Sequence, residues 1–262
     1  KGVKKGEEIQ EKELITNIVK AVDPYASFNE YLALAKEEEL AFIISNTTEA
    51  GIEYIASDLP TMQPPVSFPA KLTVLLHERF KHFNGAADKG LTIIPCELIN
   101  YNSDTLKEVI LKYCTDWKLG QDFVSWLLNS CSFHNTLVDR IVPGYPKDQI
   151  EEYNSQLAYK DDLIVSAESF FLWVIEGDDE LKAKLPFEKT DLDVKIVEDM
   201  QPYRTRKVRI LNGAHTAMVP FSLLYGNETV KALSTCRSWQ IKQMMMCRKH
   251  QVLLCVPNHL LC

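Results

Sequence analysis

Apolar residues along this chain fall into two alternating patterns. FNEYLALAKE (28–37) repeats them every three or four positions, and LAFIIS (40–45) strings them together without interruption. The first spacing predicts a helix and the second a buried strand. Asn46 followed by Glu49 has the form of a helix start. DLPTMQPPVSFP (58–69) is a proline-rich loop, KLTVLLHERFKHF (71–83) an amphipathic helix, LTIIPC (91–96) a second buried strand, and about Asn102 to Trp117 a further helix. Strand–helix alternation with continuous apolar strands predicts a parallel sheet covered on both faces. Ligands bind beyond the carboxyl ends of such strands. That edge would hold Ser45, Asn46, Thr47, Thr48 and Glu97.

The character changes after about Pro146. DQIEEYNSQLAYKDD is polar, and a domain boundary is expected near residue 156. LIVSAESFFLWVIEGDD (163–179) is apolar and β-favouring, and a helical pattern follows from about Tyr203. Pro220 lacks an amide hydrogen, so that helix should kink or end nearby. The fold class expected is α/β plus mostly α: an incomplete Rossmann-type domain over 1–156, then a mainly helical domain over 157–262.

Charge isolates the end of the chain. The whole sequence carries a net −7, but residues 229–262 hold five Lys or Arg and no Asp or Glu. Without them, 24 basic residues stand against 36 acidic ones, a net −12. MMMC and HLLC follow no regular period, so the last residues, 233–262, are expected to be a frame-shifted or mis-annotated end. The chain starts without methionine, and a piece of a longer reading frame is expected. With 46% hydrophobic and 25% charged residues the body can bury a core. No basic stripe points to nucleic acid, and no apolar run is long enough for a membrane span. Cys96, Cys114 and Cys131 lie among apolar residues and read as reduced core thiols of a cytoplasmic protein. Cys247, His250, Cys255 and His259 follow no trusted zinc spacing, and no metal is expected. His77 and His82 read as surface or core residues.

The candidate chemistry lies in KVRILNGAHT (207–216). At about 100° per residue, with Lys207 at zero, Asn212 falls near about 140° and His215 near about 80°. Leu211, Val208, Met218 and Val219 share the sector, so this face should point inward. Buried polar residues can be hydrogen-bonded core groups. A desolvated lysine can equally be a general acid or base, with an amide and an imidazole beside it to hold a carbonyl oxygen. Periodicity leaves both readings open.

K-x4-N-x2-H resembles the catalytic signature of the mannitol dehydrogenase family, the polyol-specific long-chain dehydrogenases. FIISNTTEAGI (42–52) resembles the family's cofactor-edge motif, and PCELINYNSDTLKEVILKY (95–113) its strand–helix segment beside the nicotinamide. FHNTLVDRIVP (133–143) resembles F-x-N-x-x-V-D-R-I-x-P, and ESFFLWVIEGD (168–178) the opening of the C-terminal domain. The blocks keep the family's order over roughly 1–232.

The resemblance implies an NAD-dependent oxidoreductase. Lys207 would be the acid–base group, and Asn212 and His215 would hold the substrate oxygen. Asp139, Arg140 and Asn102 would lie toward the substrate, and Ser45, Asn46, Thr47, Thr48, Glu49 and Glu97 would line the cofactor. For Asp139 a structural Asp–Arg pair stays open, and for 45–49 plain helix capping. Glu97-Leu98 stands where mannitol dehydrogenases have Asp-Asn. That departure and NTTEAGI favour a uronate reductase interconverting tagaturonate and altronate, a small sugar-acid substrate. Fructuronate or another sugar alcohol remains an alternative, as does a non-catalytic remnant. The family's glycine-rich turn has no match in this sequence.

Overall fold

The computed structural model describes residues 2–4, 7–9, 11–224 and 226, and for 2–4, 7–9, 210, 211, 215 and 221 the backbone alone. The acid-free tail, with its frame-shift reading and the Cys247–His259 spacing, lies outside the described residues. The chain forms two units. One joins 13–138 to 172–200; the other takes in the described residues of 1–12, 139–171 and 201 onward.

The second unit begins with a short antiparallel hairpin, β1 (Gly2–Lys4) against β2 (Glu7–Ile9). The sheet unit opens with α1 (Phe28–Ala33), which tightens into a 3-10 turn over Leu34–Lys36. The two apolar runs then become adjacent parallel strands. β3 (Phe42–Ser45) pairs with β4 (Thr92–Pro95) in the register Phe42↔Thr92 to Ser45↔Pro95. β4 pairs in parallel with β5 (Ser132–Phe133). A second three-stranded set follows the order β6 (Thr136–Asp139), β7 (Leu172–Glu176), β8 (Val194–Val197), with β7 and β8 parallel. β4 is buried throughout as expected, but β3, at the edge of its three-stranded set, leaves Ile44 58% exposed, so the first run is not a fully buried strand. Parallel strands with crossover helices are the expected Rossmann-type construction.

Two long helices cover one face. In α2 (Phe68–His82) the Ser67 hydroxyl caps the first turn by accepting the Ala70 amide at 3.2 Å, and Pro69 sits where no amide hydrogen is needed. Its buried positions, Leu72, Leu75, Leu76 and Arg79, recur every three or four residues. α3 (Asn102–Asp116) buries Leu106, Ile110, Tyr113 and Cys114 in the same rhythm. Both helices end in the same way. Asn84 (φ 50°) and Lys118 (φ 54°) turn left-handed, and the next amides, of Gly85 and Leu119, reach back to Phe80 O and Cys114 O at 2.9 and 3.0 Å. This double closure satisfies carbonyls that the helix would leave orphaned. α4 (Gln121–Ser130) adds Phe123, Trp126 and Leu127 to the same core.

The proline-rich loop is tied down by Asp58, only 2% exposed. Its carboxylate accepts the amides of Val66 (2.6 Å) and Ser67 (3.0 Å) and the Tyr113 hydroxyl (3.2 Å). Burial pushes this carboxyl up, but the hydrogen bonds outweigh it and hold it below the usual carboxylate range.

Two expectations change. No helix starts at Asn46: residues 46–48 are irregular and turns follow, with the Thr47 amide and hydroxyl both donating to buried Glu97. The expected single boundary near 156 is replaced by crossings at 138/139, 171/172 and 200/201. The run at 163–179 explains this. Only its second half is strand, and β7 brings residues 172–200, with α6 (Asp179–Lys184), back into the sheet unit. The continuous helical stretch of the second unit runs from Gln201. α5 (Ile150–Ser155) lies in the polar stretch of the second unit. There α7 (Gln201–Thr205) passes into a π-helix over Arg206–Asn212 and then α8 (Gly213–Leu224), which runs one turn past Pro220.

Candidate active site

The carboxyl edge of the parallel sheet is organised by one carboxylate. Glu97, just past β4, is 2% exposed and accepts three bonds from the end of β3: Ser45 Oγ at 3.0 Å, Thr47 N at 3.0 Å and Thr47 Oγ1 at 2.8 Å. A buried carboxylate needs such donors. Asn46, Thr48 and Glu49 are exposed around it. Gly51 closes the loop, donating its amide to Thr48 O at 2.8 Å; a Cβ there would fall 1.9 Å from Thr47 Oγ1, so only glycine permits the approach. The plain-capping alternative for 45–49 has no helix to cap.

Asn102 is corrected. It is completely buried, and its amide is used up by protein. Nδ2 donates to Pro95 O (2.9 Å), Glu97 O (3.1 Å) and Thr136 O (3.3 Å), while Oδ1 accepts the amides of Ser103 (2.9 Å) and Thr136 (3.0 Å). Both donors and both lone pairs are committed, so Asn102 fixes the β4–α3 turn to β6 and has nothing left for substrate. Asn135, not singled out in the sequence, caps α3 by accepting the amides of Ser103 (3.0 Å) and Asp104 (3.3 Å). Its place in F-x-N was the available clue. The Ser103 hydroxyl is fully buried at that helix start without a protein partner. An open carboxyl edge with exposed polar residues, and an orphaned hydroxyl at a helix N-terminus, fit a dinucleotide.

Lys207 and Asp139 meet in the second unit. Lys207 Nζ lies 3.1 Å from Asp139 Oδ1, with side chains 14% and 22% exposed. The ion pair of Asp139 is thus with Lys207, not with its neighbour Arg140. Arg140 is exposed, donates Nε to Glu168 O at 3.1 Å and lies over the Phe171 ring at 5.8 Å. Asn212 is exposed at the last π-helical position. His215 falls within α8, and its side chain lies outside what the structure describes.

The inward-facing stripe is realised only in part. Met218 is buried, but Val208 and Val219 are 45% and 46% exposed. The reason is the π-helix: its bonds run i→i+5, so a wheel of 100° steps does not apply across Arg206–Asn212. Residues five apart now stack along one side, and Lys207 and Asn212 are five apart. Such π-segments occur frequently at functional sites.

Residues 4–189 match the family model of the mannitol dehydrogenase Rossmann domain. The chain belongs to the mannitol dehydrogenase family. Among curated relatives it is similar to altronate oxidoreductase of Yersinia enterocolitica, 50% identical over 86% of this chain and 47% of that protein. The Pectobacterium carotovorum altronate oxidoreductase is 51% identical over 86% and 46%. The chain thus spans about half the length of the curated relatives it matches. Among solved structures of the fold, Pseudomonas fluorescens mannitol 2-dehydrogenase in ternary complex with NAD and D-mannitol aligns at TM-score 0.63 and 21% identity, covering 81% of this chain and 44% of that one. A substrate-free D-sorbitol dehydrogenase aligns at 0.68 and 20%, covering 89% and 49%. These likenesses agree with the Rossmann-type construction of the sheet unit.

Other candidates resolve simply. His77 packs against the Phe123 ring at 4.9 Å, half-buried, and burial lowers its pKa. Cys96, Cys114 and Cys131 are free and buried, and burial pushes each thiol up to about 11, away from the reactive thiolate. Among the described residues no group of three His, Cys, Asp or Glu is arranged to hold a metal, and no helix is long and apolar enough to cross a membrane.

Proposed function

We propose that this chain belongs to a cytoplasmic NAD-dependent oxidoreductase that interconverts tagaturonate and altronate, with Lys207 as its acid–base residue. The substrate assignment rests on the half-identity to altronate oxidoreductases over most of the chain. The lysine assignment rests on one observation: a largely buried amine held 3.1 Å from a carboxylate inside a π-helix.

In this reading Ser45, Thr47 and Glu97 shape the cofactor edge, with Asn46, Thr48 and Glu49 exposed along it. NAD, when bound, supplies the hydride acceptor. Lys207 Nζ takes the hydroxyl proton of altronate as the carbonyl forms and returns it when tagaturonate is reduced. Asp139 keeps the amine oriented. Asn212 donates to the substrate oxygen together with His215. Arg140, exposed beside Asp139, suits the sugar-acid carboxylate, which a planar guanidinium pairs in two-point fashion.

The test is Lys207→Ala. Turnover of tagaturonate with NADH should fall by about 10²–10⁴-fold, while NADH binding, read by fluorescence titration, stays within a factor of two or so of the unsubstituted protein. Near-normal turnover removes Lys207 from the mechanism. Absence of saturable NADH binding by the unsubstituted chain removes the dinucleotide reading.

A further inference from the structure

The function leaves one well-built contact unused. Directly after Asp139, residues 140–144 run antiparallel to 166–168. The Ser166 amide donates to Gly144 O at 2.8 Å, and these two residues form a β-bridge. Most of the bonding in this pair converges on Glu168. Its amide donates to Ile141 O at 3.0 Å, and its own carbonyl accepts Arg140 Nε at 3.1 Å. Its carboxylate Oε1 accepts the Ile141 amide at 2.5 Å, a short charge-assisted bond. Backbone donor, backbone acceptor and side chain of one residue thus grip the two residues that follow Asp139.

The Ile141 backbone is held at both its amide and its carbonyl and the Arg140 side chain at Nε, and Asp139 is the next residue along. Asp139, Arg140, Ile141, Glu168 and Lys207 all belong to the second unit, so holding Ile141 bears directly on where the adjoining Asp139 carboxylate lies. We propose that Glu168 is a positioning residue: by clamping Arg140 and Ile141 it sets Asp139 against Lys207. The role rests on the acid–base reading of Lys207 for its consequence, though not for its geometry. It also explains why ESFF and VDRI, 27 residues apart, are linked. Each supplies half of a single brace.

The test is a double-mutant cycle read on the full chain by the rate at which an amine reagent (trinitrobenzenesulfonate, with mass spectrometry of the Lys207 peptide) labels Lys207 at fixed pH. Asp139→Asn should speed labelling by about fivefold, the upper range for a partly exposed pair. Glu168→Ala, which removes the carboxylate bond and keeps both main-chain bonds, should give a smaller increase in the same direction. Glu168→Gln, whose carbonyl oxygen still accepts the Ile141 amide, should stay near the starting rate. In the Asp139→Asn background Glu168→Ala should add nothing, because its effect passes through Asp139. A general structural role would instead leave labelling unchanged or add to Asp139→Asn. Either result overturns the proposal, as does Glu168→Gln behaving like Glu168→Ala. Should Glu168→Ala lose its cooperative melting transition, Glu168→Asp, which keeps the charge and shortens the reach, takes its place in the cycle. Labelling needs no turnover. A chain that shows the predicted cycle but no NADH-linked activity refutes the proposed function and leaves the brace standing.

Discussion

Arg79 and Lys207 are the two most enclosed cations of interest, and their surroundings differ in kind. Arg79, in the sheet unit, is 1% exposed and donates only to main-chain carbonyls: Lys89 O (2.7 Å), Ala35 O (3.0 Å), Glu37 O (2.9 Å) and Leu40 O (3.0 Å). Burial lowers its pKa, but a guanidinium starts so high that it keeps its proton. It is a fixed cross-link that gathers three chain segments. Lys207, in the second unit, is partly exposed and faces a carboxylate. In the proposed function that carboxylate, 3.1 Å away, orients the amine. Arg79 ties segments together in the densely packed unit, and Lys207 sits where structure is thinner.

The units differ in the same sense as wholes. The sheet unit buries an apolar core around Leu76, Ile93, Leu106, Ile110 and Phe123. In the second unit Met218 is the large apolar side chain that becomes buried among the described residues, whereas Ile141, Tyr159, Leu163 and Leu223 stay exposed. Polar contacts, the Glu168 brace and the Lys207–Asp139 pair, carry correspondingly more of the local order there.

The largest effect that should separate the two cations is on stability. Arg79→Ala leaves several buried carbonyls without a donor and should cost about 3–5 kcal/mol, read by urea unfolding; a loss below about 1 kcal/mol would contradict the cross-link. Lys207→Ala, measured alongside, should cost far less while removing turnover. Next comes Asn102→Ala. With the buried Thr136 amide left without its acceptor, it should lose about 2–3 kcal/mol. If Asn102 instead touched substrate, the melting curve would hardly move and KM would rise.

Glu176 gives a smaller, pH-dependent effect. Burial first, then the nearby charges of Asp199 and Asp104, raise its carboxyl above the usual range, against a hydrogen bond from Asn135 that lowers it. A raised folded value means that the native state binds the proton more tightly than the unfolded chain. Stability must therefore fall as pH climbs from the unfolded glutamate value, about 4.3, through the folded one. Glu176→Gln should raise Tm by a few degrees at pH 7, and the gain should vanish below about pH 4. A gain that grows on acidification would reverse the sign and exclude the explanation. The smallest effect is Lys118→Gly. It removes a left-handed non-glycine residue at the end of α3 and should stabilise by about 0.5–1 kcal/mol. Asn84→Gly, at the equivalent position of α2, should gain less, since asparagine tolerates this conformation.

Much of the sheet unit could be read in advance because its local preferences and its packing agree. FIIS and TIIP are β-branched and continuous, and α2 and α3 repeat apolar positions at helical spacing up to their left-handed ends. The failures come where a distant partner overrides local form. Asn46 to Glu49 looks like a helix start, but Glu97, fifty residues on, claims Thr47. Asn102 looks like an active-site amide until its partners from Pro95 and Thr136 are counted. The boundary near 156 follows a real change in composition, yet β7 carries the chain back into the sheet. At the candidate site the residue types of Lys207, Asn212 and Asp139 were legible. The pairing of Lys207 with Asp139 was not, because the Asp–Arg neighbour offered a local alternative, and no periodicity announces a π-helix.

The π-helix has an implication for how this segment tolerates change. Its wider turns accommodate a residue that an α-helix of the same rise would not need. Losing one residue between 206 and 212 would let the segment relax to i→i+4 bonding. Asn212 would then stand four residues after Lys207 instead of five, with α8 near its former orientation, because the residue removed is the one that the wider turn absorbs. In this stretch the backbone can take up a one-residue change of length, whereas the same deletion within α2 or α3 would turn the buried face away from the core.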